Sequence, residues 1–557
     1  ITDMKLELKI LSALEKCFAD EPLSTKKTYK KASALSGEKF YFSAAYRTDE
    51  PLRSGIPVKL EINSPIRTRI QAFSVELVPV RLPVYAICED TDFLRREPGL
   101  YPDLLKPIKK DTRLFVYTGL TQQLYFKISD TYDVPAGEYP VGISVVGLDG
   151  TEYAKQTFVL KVIGCRLEQK RPIFTQWFHS DCLAVYYGCE VLSERWWKIV
   201  ENFMHTAAEN GVNAILTPIF TPPLDTEVGG ERPTVQLVSI EYSAGRYTFD
   251  FSSLDRWVDT AIRSGMRYIE FPHFFTQWGA GHAPKIMIKE SGRLLRRFGW
   301  ETDALDRDYI AFLRALIPAL TDYVTKRGLR YNCFFHISDE PGEKHIEAYR
   351  AAREAISDLL EGYPIVDALS DIGLYKSGAV TNPIPSVDHI EPFLEEGIDD
   401  LWAYYCCGQF NKVSNRFVAM PSYRERIIGT QMFKFGIKGF LQWGYNFWFN
   451  RFSIAPVDPY MITDGEFFVP AGDAFSVYPA PDGTAYETLH LVLFTQAIED
   501  FRALETCRSL CGTSKTMDEI GDISFSEYPR NAEYILDLRE KINSMIEKKI
   551  VKEELKI

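Results

Sequence analysis

The chain has 557 residues, too many for one average domain, and its 46% hydrophobic and 13% aromatic content supplies sizeable cores. A formal net charge of −12 with no long basic run argues against nucleic acid or an anionic membrane as a main partner. No apolar run approaches the ~18 residues of a membrane span, and the opening ITDMKLELKI lacks a signal-peptide core, so a cytoplasmic protein is expected, although the absence of Met at position 1 is compatible with a trimmed leader.

The first part of the chain alternates with period two. KFYFSAAYR, PVKLEINS, QAFSVELVPVRL, RLFVYTGL, QQLYFKIS, GEYPVGISVVG and KQTFVLKVIG are separated by turn signals such as Pro135-Ala136-Gly137 and Asp149-Gly150. That rhythm predicts an N-terminal antiparallel β-sandwich over residues 1–165. The ten cysteines are scattered and only Cys406 and Cys407 are vicinal. Cys507 and Cys511 lie one helical turn apart without histidines beside them, so a reduced protein with no metal site and no cofactor is expected.

From about residue 166 strand and helix alternate. IFTQWFH, NAILTPIF, RYIEFPHF, NCFFHISDE, IVDALSD, LWAYYCC, GFLQWGYNF and, more weakly, AFSVYP read as strands. SERWWKIVENFMHTAAENG, SLDRWVDTAIRSG and DYIAFLRALIPALTDYVTKRG read as helices ending at glycine. An inserted hairpin, TVQLVSIEYSAGRYTFDF, follows the second strand. The pattern predicts an α/β fold with a (β/α)8 TIM barrel over residues 166–510, closed by YETLHLVLFTQAIEDFRALETCRSL, and a charged helical tail over 511–557.

In such a barrel the active site gathers at the C-terminal ends of the strands. FFHISDEP puts Asp339 and Glu340 at the end of the fourth strand. One acid suffices to cap the helix that PGEKHIEAYRAAREA would form; two on an apolar strand end point to chemistry. An acid there suggests a glycoside hydrolase, which needs a proton donor for the leaving oxygen and a stabiliser for the anomeric carbon. The seventh strand, where a retaining barrel enzyme ordinarily keeps its second carboxylate, carries no Asp or Glu before Asp458. A substrate with a 2-acetamido group resolves the absence, because its own carbonyl oxygen can attack the anomeric carbon. Asp339 would then orient the acetamido group and Glu340 would act as general acid/base, their mutual repulsion keeping one of them protonated.

HISDEP, FTQWFHSDCLA, FTQWGAGHAPKI and GFLQWGYNFW, followed by GDAFSVYPAPDG and AIEDFRALE, together resemble glycoside hydrolase family 123 and the wider group called domain of unknown function 4091. The resemblance spans roughly residues 110 to 510. It implies a β-N-acetylgalactosaminidase that retains configuration through neighbouring-group participation, with the family's Asp-Glu pair at Asp339 and Glu340.

Further strand-end residues are candidates for substrate binding: His179 and Asp181 after the first strand, His273, Gln277 and Trp278 after the third, Tyr404 after the sixth, and Trp443, Asn446 and Trp448 after the seventh. Each has a plainer alternative in core packing or loop capping. Tyr404 is preferred over Tyr405 because alternation turns only one of them to the cleft. His179-x-Asp181 lacks the companion ligands of a metal site, and His336 reads as a buried, hydrogen-bonded histidine. Asp371 is a rival acid. The expected partner is a glycan or glycoside, with oligomerisation left open. Two alternatives stand beside this reading: a hydrolase of another β-glycoside or N-acetylhexosaminide, and a carbohydrate-binding barrel without turnover.

Overall fold

The computed structural model describes residues 4–554. The chain divides into two compact units, each discontinuous in sequence. One takes the residues up to 171, 414–435 and those from 486 onward; the other takes 172–413 and 436–485.

The first unit holds ten strands: β1 (Glu7–Ser12), β2 (Lys31–Ser36), β3 (Phe40–Arg47), β4 (Ile56–Asn63), β5 (Ile70–Val80), β6 (Gly99–Pro107), β7 (Leu114–Val116), β8 (Gln122–Ile128), β9 (Gly137–Gly147) and β10 (Glu152–Arg166). They form two five-stranded sheets, ordered β1-β3-β8-β5-β6 and β2-β10-β9-β4-β7. Inward residues of both sheets share one core, where Phe42 stacks on Phe126 and Phe158 at centroid distances of 4.6 and 4.9 Å. Two helices of this unit, Ser422–Lys434 and Leu489–Cys511, pack closely at Gly429, where a Cβ would lie 1.9 Å from the Ala497 carbonyl oxygen. Only glycine fits there.

The second unit carries β11 (Ile173–Gln176), β12 (Ala214–Leu216), β13 (Ser239–Ser243), β14 (Arg246–Asp250), β15 (Tyr268–His273), β16 (Ile286–Glu290), β17 (Arg293–Phe298), β18 (Cys333–His336), β19 (Val366–Leu369), β20 (Asn382–Pro385), β21 (Trp402–Tyr404) and β22 (Gly439–Gln442). β13 and β14 form the inserted hairpin, which joins β16 and β17 in a four-stranded sheet.

The expected closed (β/α)8 barrel is not what forms. The parallel strands divide into a six-stranded sheet, β18-β15-β12-β11-β22-β21, and a separate pair, β19-β20. Between the two lie only isolated bridges, Phe335 to Ile365 and Ser386 to Tyr404. The physical reason is proline: Pro383 and Pro385 deprive β20 of ladder donors, and Pro364 stands at the entrance to β19. The alternation of strand and helix also lapses, since β19 and β20 are each followed by a helix of only five residues, Ile372–Lys376 and Glu391–Glu395. The weak eighth candidate, AFSVYP, contributes Val477–Pro479, which lies outside the six-stranded sheet. Among the described residues no helix is long and apolar enough to cross a membrane.

Candidate active site

The strand ends of the second unit surround a cavity of about 830 Å³, open mouth included. Asp339 and Glu340 stand in its wall because the chain leaves the sheet immediately after β18. The Ile337 N–H donates to Asp367 Oδ1 at 3.0 Å, the Ser338 hydroxyl donates to the Thr276 carbonyl at 2.8 Å, and the Asp339 carbonyl accepts from the Trp278 N–H at 2.9 Å. Glu340 then adopts a left-handed backbone, φ 44°, before Pro341. Strand alternation no longer applies, and both carboxyl groups reach the cavity, each half-buried.

Burial and the neighbouring charge of Glu340 push Asp339 well above the usual carboxylate range; Asp367 and Asp225 add to the rise and His336 opposes it. Burial also raises Glu340, against a hydrogen bond from the Tyr404 hydroxyl, 2.7 Å from Oε1. Two adjacent carboxyl groups raised in one cavity titrate as a unit and hold a proton between them at pH values where an isolated acid has lost its own.

Beneath the pair, Glu270, His336 and Asp367 form a fully buried network. His336 Nε2 lies 2.8 Å from Glu270 Oε1 and Nδ1 faces Asp367 Oδ1 at 3.4 Å. Burial disfavours the imidazolium, but the hydrogen bonds and charges of Asp367 and Glu270 prevail and hold its pKa at about 10. Glu270 also accepts from the Thr175 hydroxyl and from Trp177 Nε1 at 2.8 Å, and Trp177 lines the cavity. Asp367 accepts from the Tyr349 hydroxyl.

His273, His336 and Asp367 bring potential ligand atoms within 4.8 Å of one another. The two imidazole rings are stacked, however, with centroids 4.4 Å apart and planes 28° apart. A metal ion sits in the plane of each imidazole that binds it, and stacked planes do not meet close to both nitrogens. The cluster therefore lacks the geometry for a shared ion.

The sequence candidates separate into two groups. His179, Gln277, Trp278, Tyr404 and Trp443 line the cavity with Asp339 and Glu340. Asp181, His273, Asn446 and Trp448 do not. Asp181 is clamped to Arg232 by two hydrogen bonds of 2.9 and 2.8 Å. His273 is 1% exposed, stacked on His336 and edge-on to Trp177. Asn446 holds the His179 backbone, accepting from its N–H at 2.9 Å and donating to its carbonyl at 3.0 Å. Trp448 packs in the core against Tyr186 and Phe203. Tyr405 is fully buried against Phe440, so Tyr404 is the one facing the cavity. Asp371 caps the helix after β19, accepting from the Gly373 N–H at 2.7 Å.

His179 is neutral: burial and the charge of Arg232 hold its pKa well below the usual value. Its Nε2 donates to the Trp443 carbonyl at 2.8 Å, and Nδ1 accepts from Arg232 at 3.1 Å. Trp443 is in turn fixed by its indole N–H, which donates to Asp473 at 2.9 Å.

Sequence reasoning passed over Asp225, Cys406, Cys407, Arg451 and Phe452, all in the cavity wall. Most stand on loops without periodicity. Left-handed backbone at four non-glycine lining residues, Asp225, Trp278, Glu340 and Phe452, marks the site, but only once the fold is known.

A family 123 glycoside hydrolase from Clostridium perfringens, whose structure was described for glycolipid glycan hydrolysis, matches with a TM-score of 0.71 over 98% of both chains at 14% identity, which establishes a shared fold. A β-glucuronidase from Parabacteroides merdae aligns over 88% of this chain and 53% of its own, 12% identical, with a TM-score of 0.30. No curated protein sequence matches the chain. The sequence model of the glycoside hydrolase 123 catalytic domain matches residues 177–507, more than half of the chain and every residue lining the cavity, and the protein therefore belongs to glycoside hydrolase family 123.

Proposed function

We propose that the protein is a retaining exo-hydrolase of β-linked N-acetylgalactosaminides that uses the substrate's acetamido group as nucleophile. The observation that carries this reading is the placement of Asp339 and Glu340 on one strand end, in one cavity, with the Tyr404 hydroxyl on Glu340. Glu340 protonates the departing oxygen while the acetamido oxygen attacks the anomeric carbon; Asp339 accepts the acetamido N–H and balances the charge growing there. Glu340 then takes a proton from the water that opens the oxazolinium ion, which gives net retention. Trp443 offers a fixed apolar face to the sugar, and His179, Gln277 and Trp278 are proposed as further contacts. Asp181, Asn446, His273 and Trp448 serve as supports for those groups. Asp473, beyond β22, accepts from Trp443 and Gln442 and is not among the lining residues.

The test is a panel of chromogenic β-glycosides. N-acetylgalactosaminide is expected to be cleaved best, N-acetylglucosaminide less, and the galactoside without the acetamido group essentially not. A thiazoline analogue of the oxazolinium ion is expected to inhibit strongly. Robust cleavage of the plain galactoside would remove substrate assistance. The description of the Clostridium perfringens relative makes glycolipid-borne glycans a natural second panel.

A second reading rests on Asp225, the third carboxyl group among the lining residues. As a protein nucleophile it would make the acetamido group dispensable. Azide would then rescue Asp225→Ala and yield a glycosyl azide.

A further inference from the structure

The loop after β12 brings Asp225 into the cavity in a fixed attitude. Its backbone is left-handed, φ 46°. Its N–H donates to Gln277 Oε1 at 2.5 Å, and its carbonyl accepts from the Ser453 hydroxyl at 2.7 Å. On either side, the Thr226 carbonyl accepts from Gln277 Nε2 at 3.0 Å and the Leu224 carbonyl accepts from Arg232 at 3.4 Å. Arg232 is itself pinned to Asp181 and His179, so the loop is anchored to buried, ion-paired groups. The loop is long, running from β12 to β13, and these bonds fix its middle.

The restraint holds a carboxyl group whose Oδ2 is buried without a hydrogen-bond partner. Burial pushes the group up to about 6, against the charges of Arg232 and Arg451 and a hydrogen bond from the Phe452 N–H. A buried acceptor without a donor costs about 1–3 kcal/mol, more when charged. Arg232 and Arg451 offset part of the cost of its charge, and the buried Oδ2 still lacks a donor. A neutral hydroxyl group supplies it.

We propose that Asp225 is a specificity-determining residue that accepts a hydroxyl hydrogen of the sugar held in the cavity. The proposal rests on the glycoside reading of the cavity, and neither on the identity of the sugar nor on substrate assistance. A carboxylate accepts a hydroxyl hydrogen more strongly than a carboxylic acid does. Discrimination against the sugar lacking that hydroxyl therefore grows as Asp225 ionises. The charged groups facing Asp225 are Arg232, Arg451 and, through space, Asp339.

The experiment uses the full chain and, as parent, whichever chromogenic glycoside it turns over best, together with the 3-, 4- and 6-deoxy forms of that sugar. In the wild type one deoxy analogue is expected to lose about 10- to 100-fold in kcat/KM relative to the parent, and the ratio is expected to widen between pH 5 and pH 7. In Asp225→Asn the parent is expected to fall to the level of that analogue, chiefly through KM, so that the ratio approaches one. If every parent-to-deoxy ratio is the same in the wild type and the variant, the proposal is wrong. Rescue of Asp225→Ala by azide overturns it too, by making Asp225 the nucleophile. Should Asp225→Asn not fold, the pH dependence of the wild-type ratio decides alone: a flat ratio overturns the proposal. Cleavage of a parent without an acetamido group would end substrate assistance and leave the deoxy ratios fully readable.

Discussion

The Tyr404 hydroxyl, at the end of β21, donates to Glu340 Oε1, beyond the end of β18, across 2.7 Å. The bond stabilises the ionised form of Glu340 and lowers its pKa against the rise caused by burial. Tyr404→Phe removes it. A general acid must be protonated to work, so the alkaline limb of kcat/KM is expected to move to higher pH. The rate itself should fall by about 10- to 100-fold, the worth of a hydrogen bond to a charged group. An alkaline limb that stays in place would separate Glu340 from the acid role.

Leaving-group dependence distinguishes the two adjacent acids. Glu340→Gln is expected to lose most activity on alkyl aglycones and little on a dinitrophenyl glycoside, which departs without a proton. Asp339→Asn is expected to lose at least about a hundredfold on every aglycone, because orientation of the acetamido group is needed regardless. Near-normal rates for Asp339→Asn would dismiss its assigned role.

Asp181 and Arg232 form a buried pair whose oxygens and nitrogens meet at 2.8 and 2.9 Å. Asp181→Ala leaves a buried guanidinium beside His179, and thermal unfolding is expected to register a loss of about 3–5 kcal/mol. The double variant Asp181→Leu/Arg232→Met should recover part of that stability without restoring KM, since the loop bearing Asp225 loses its anchor.

His336 carries a pKa of about 10, above the ordinary histidine value of 6.5. A raised histidine contributes stability that is present in full below the ordinary value and is lost as pH rises through about 10. His336→Gln is therefore expected to be more damaging at pH 6 than at pH 10.5, by about 3–5 kcal/mol at the lower pH. Because the charge of His336 lowers Asp339, the same variant should move the acid limb of kcat/KM upward, which loss of packing alone would not do.

Asp225 has the same sign for a different reason, burial of its ionised form. Its folded pKa, about 6, exceeds the ordinary 3.8, so the folded state binds the proton more tightly and stability falls as pH rises from 3.8 through 6. Asp225→Asn is expected to gain about 2–3 kcal/mol at pH 7.5 and almost nothing at pH 4. Melting temperatures at the two pH values check this. A stabilised, less selective enzyme is the expected trade.

Much of this arrangement was legible because its parts obey short-range rules. Apolar strand runs ending in acid or aromatic residues put Asp339, Glu340, Tyr404 and Trp443 in the cavity wall. Alternation separated Tyr404 from Tyr405. The same rules failed where proline interrupts them: NPIP was passed over as a strand, and AFSVYP was counted in its place. Position near a strand end also did not decide between cavity and core. Asn446 and Trp448 stand as close to the cavity in sequence as Trp443, yet they are spent on the His179 backbone and the core. Asp225 was illegible because its loop has no period, and its place depends on Gln277 and Ser453, which are distant in sequence, and on Arg232 of the same loop.

The single bridges flanking β19 and β20 have a consequence for motion. Those two strands meet their neighbours through one isolated backbone bridge on each side and a few side-chain bonds, such as that from the Ile337 N–H to Asp367, while the hydrogen bond from Tyr404 to Glu340 joins the flanking β21 to the residue beyond β18. Few backbone bonds therefore resist outward breathing of the pair. Amide exchange along residues 366–369 and 382–385 should thus slow when a ligand locks Glu340 in place, giving a proton-donating group that reports on the elasticity of the wall behind it.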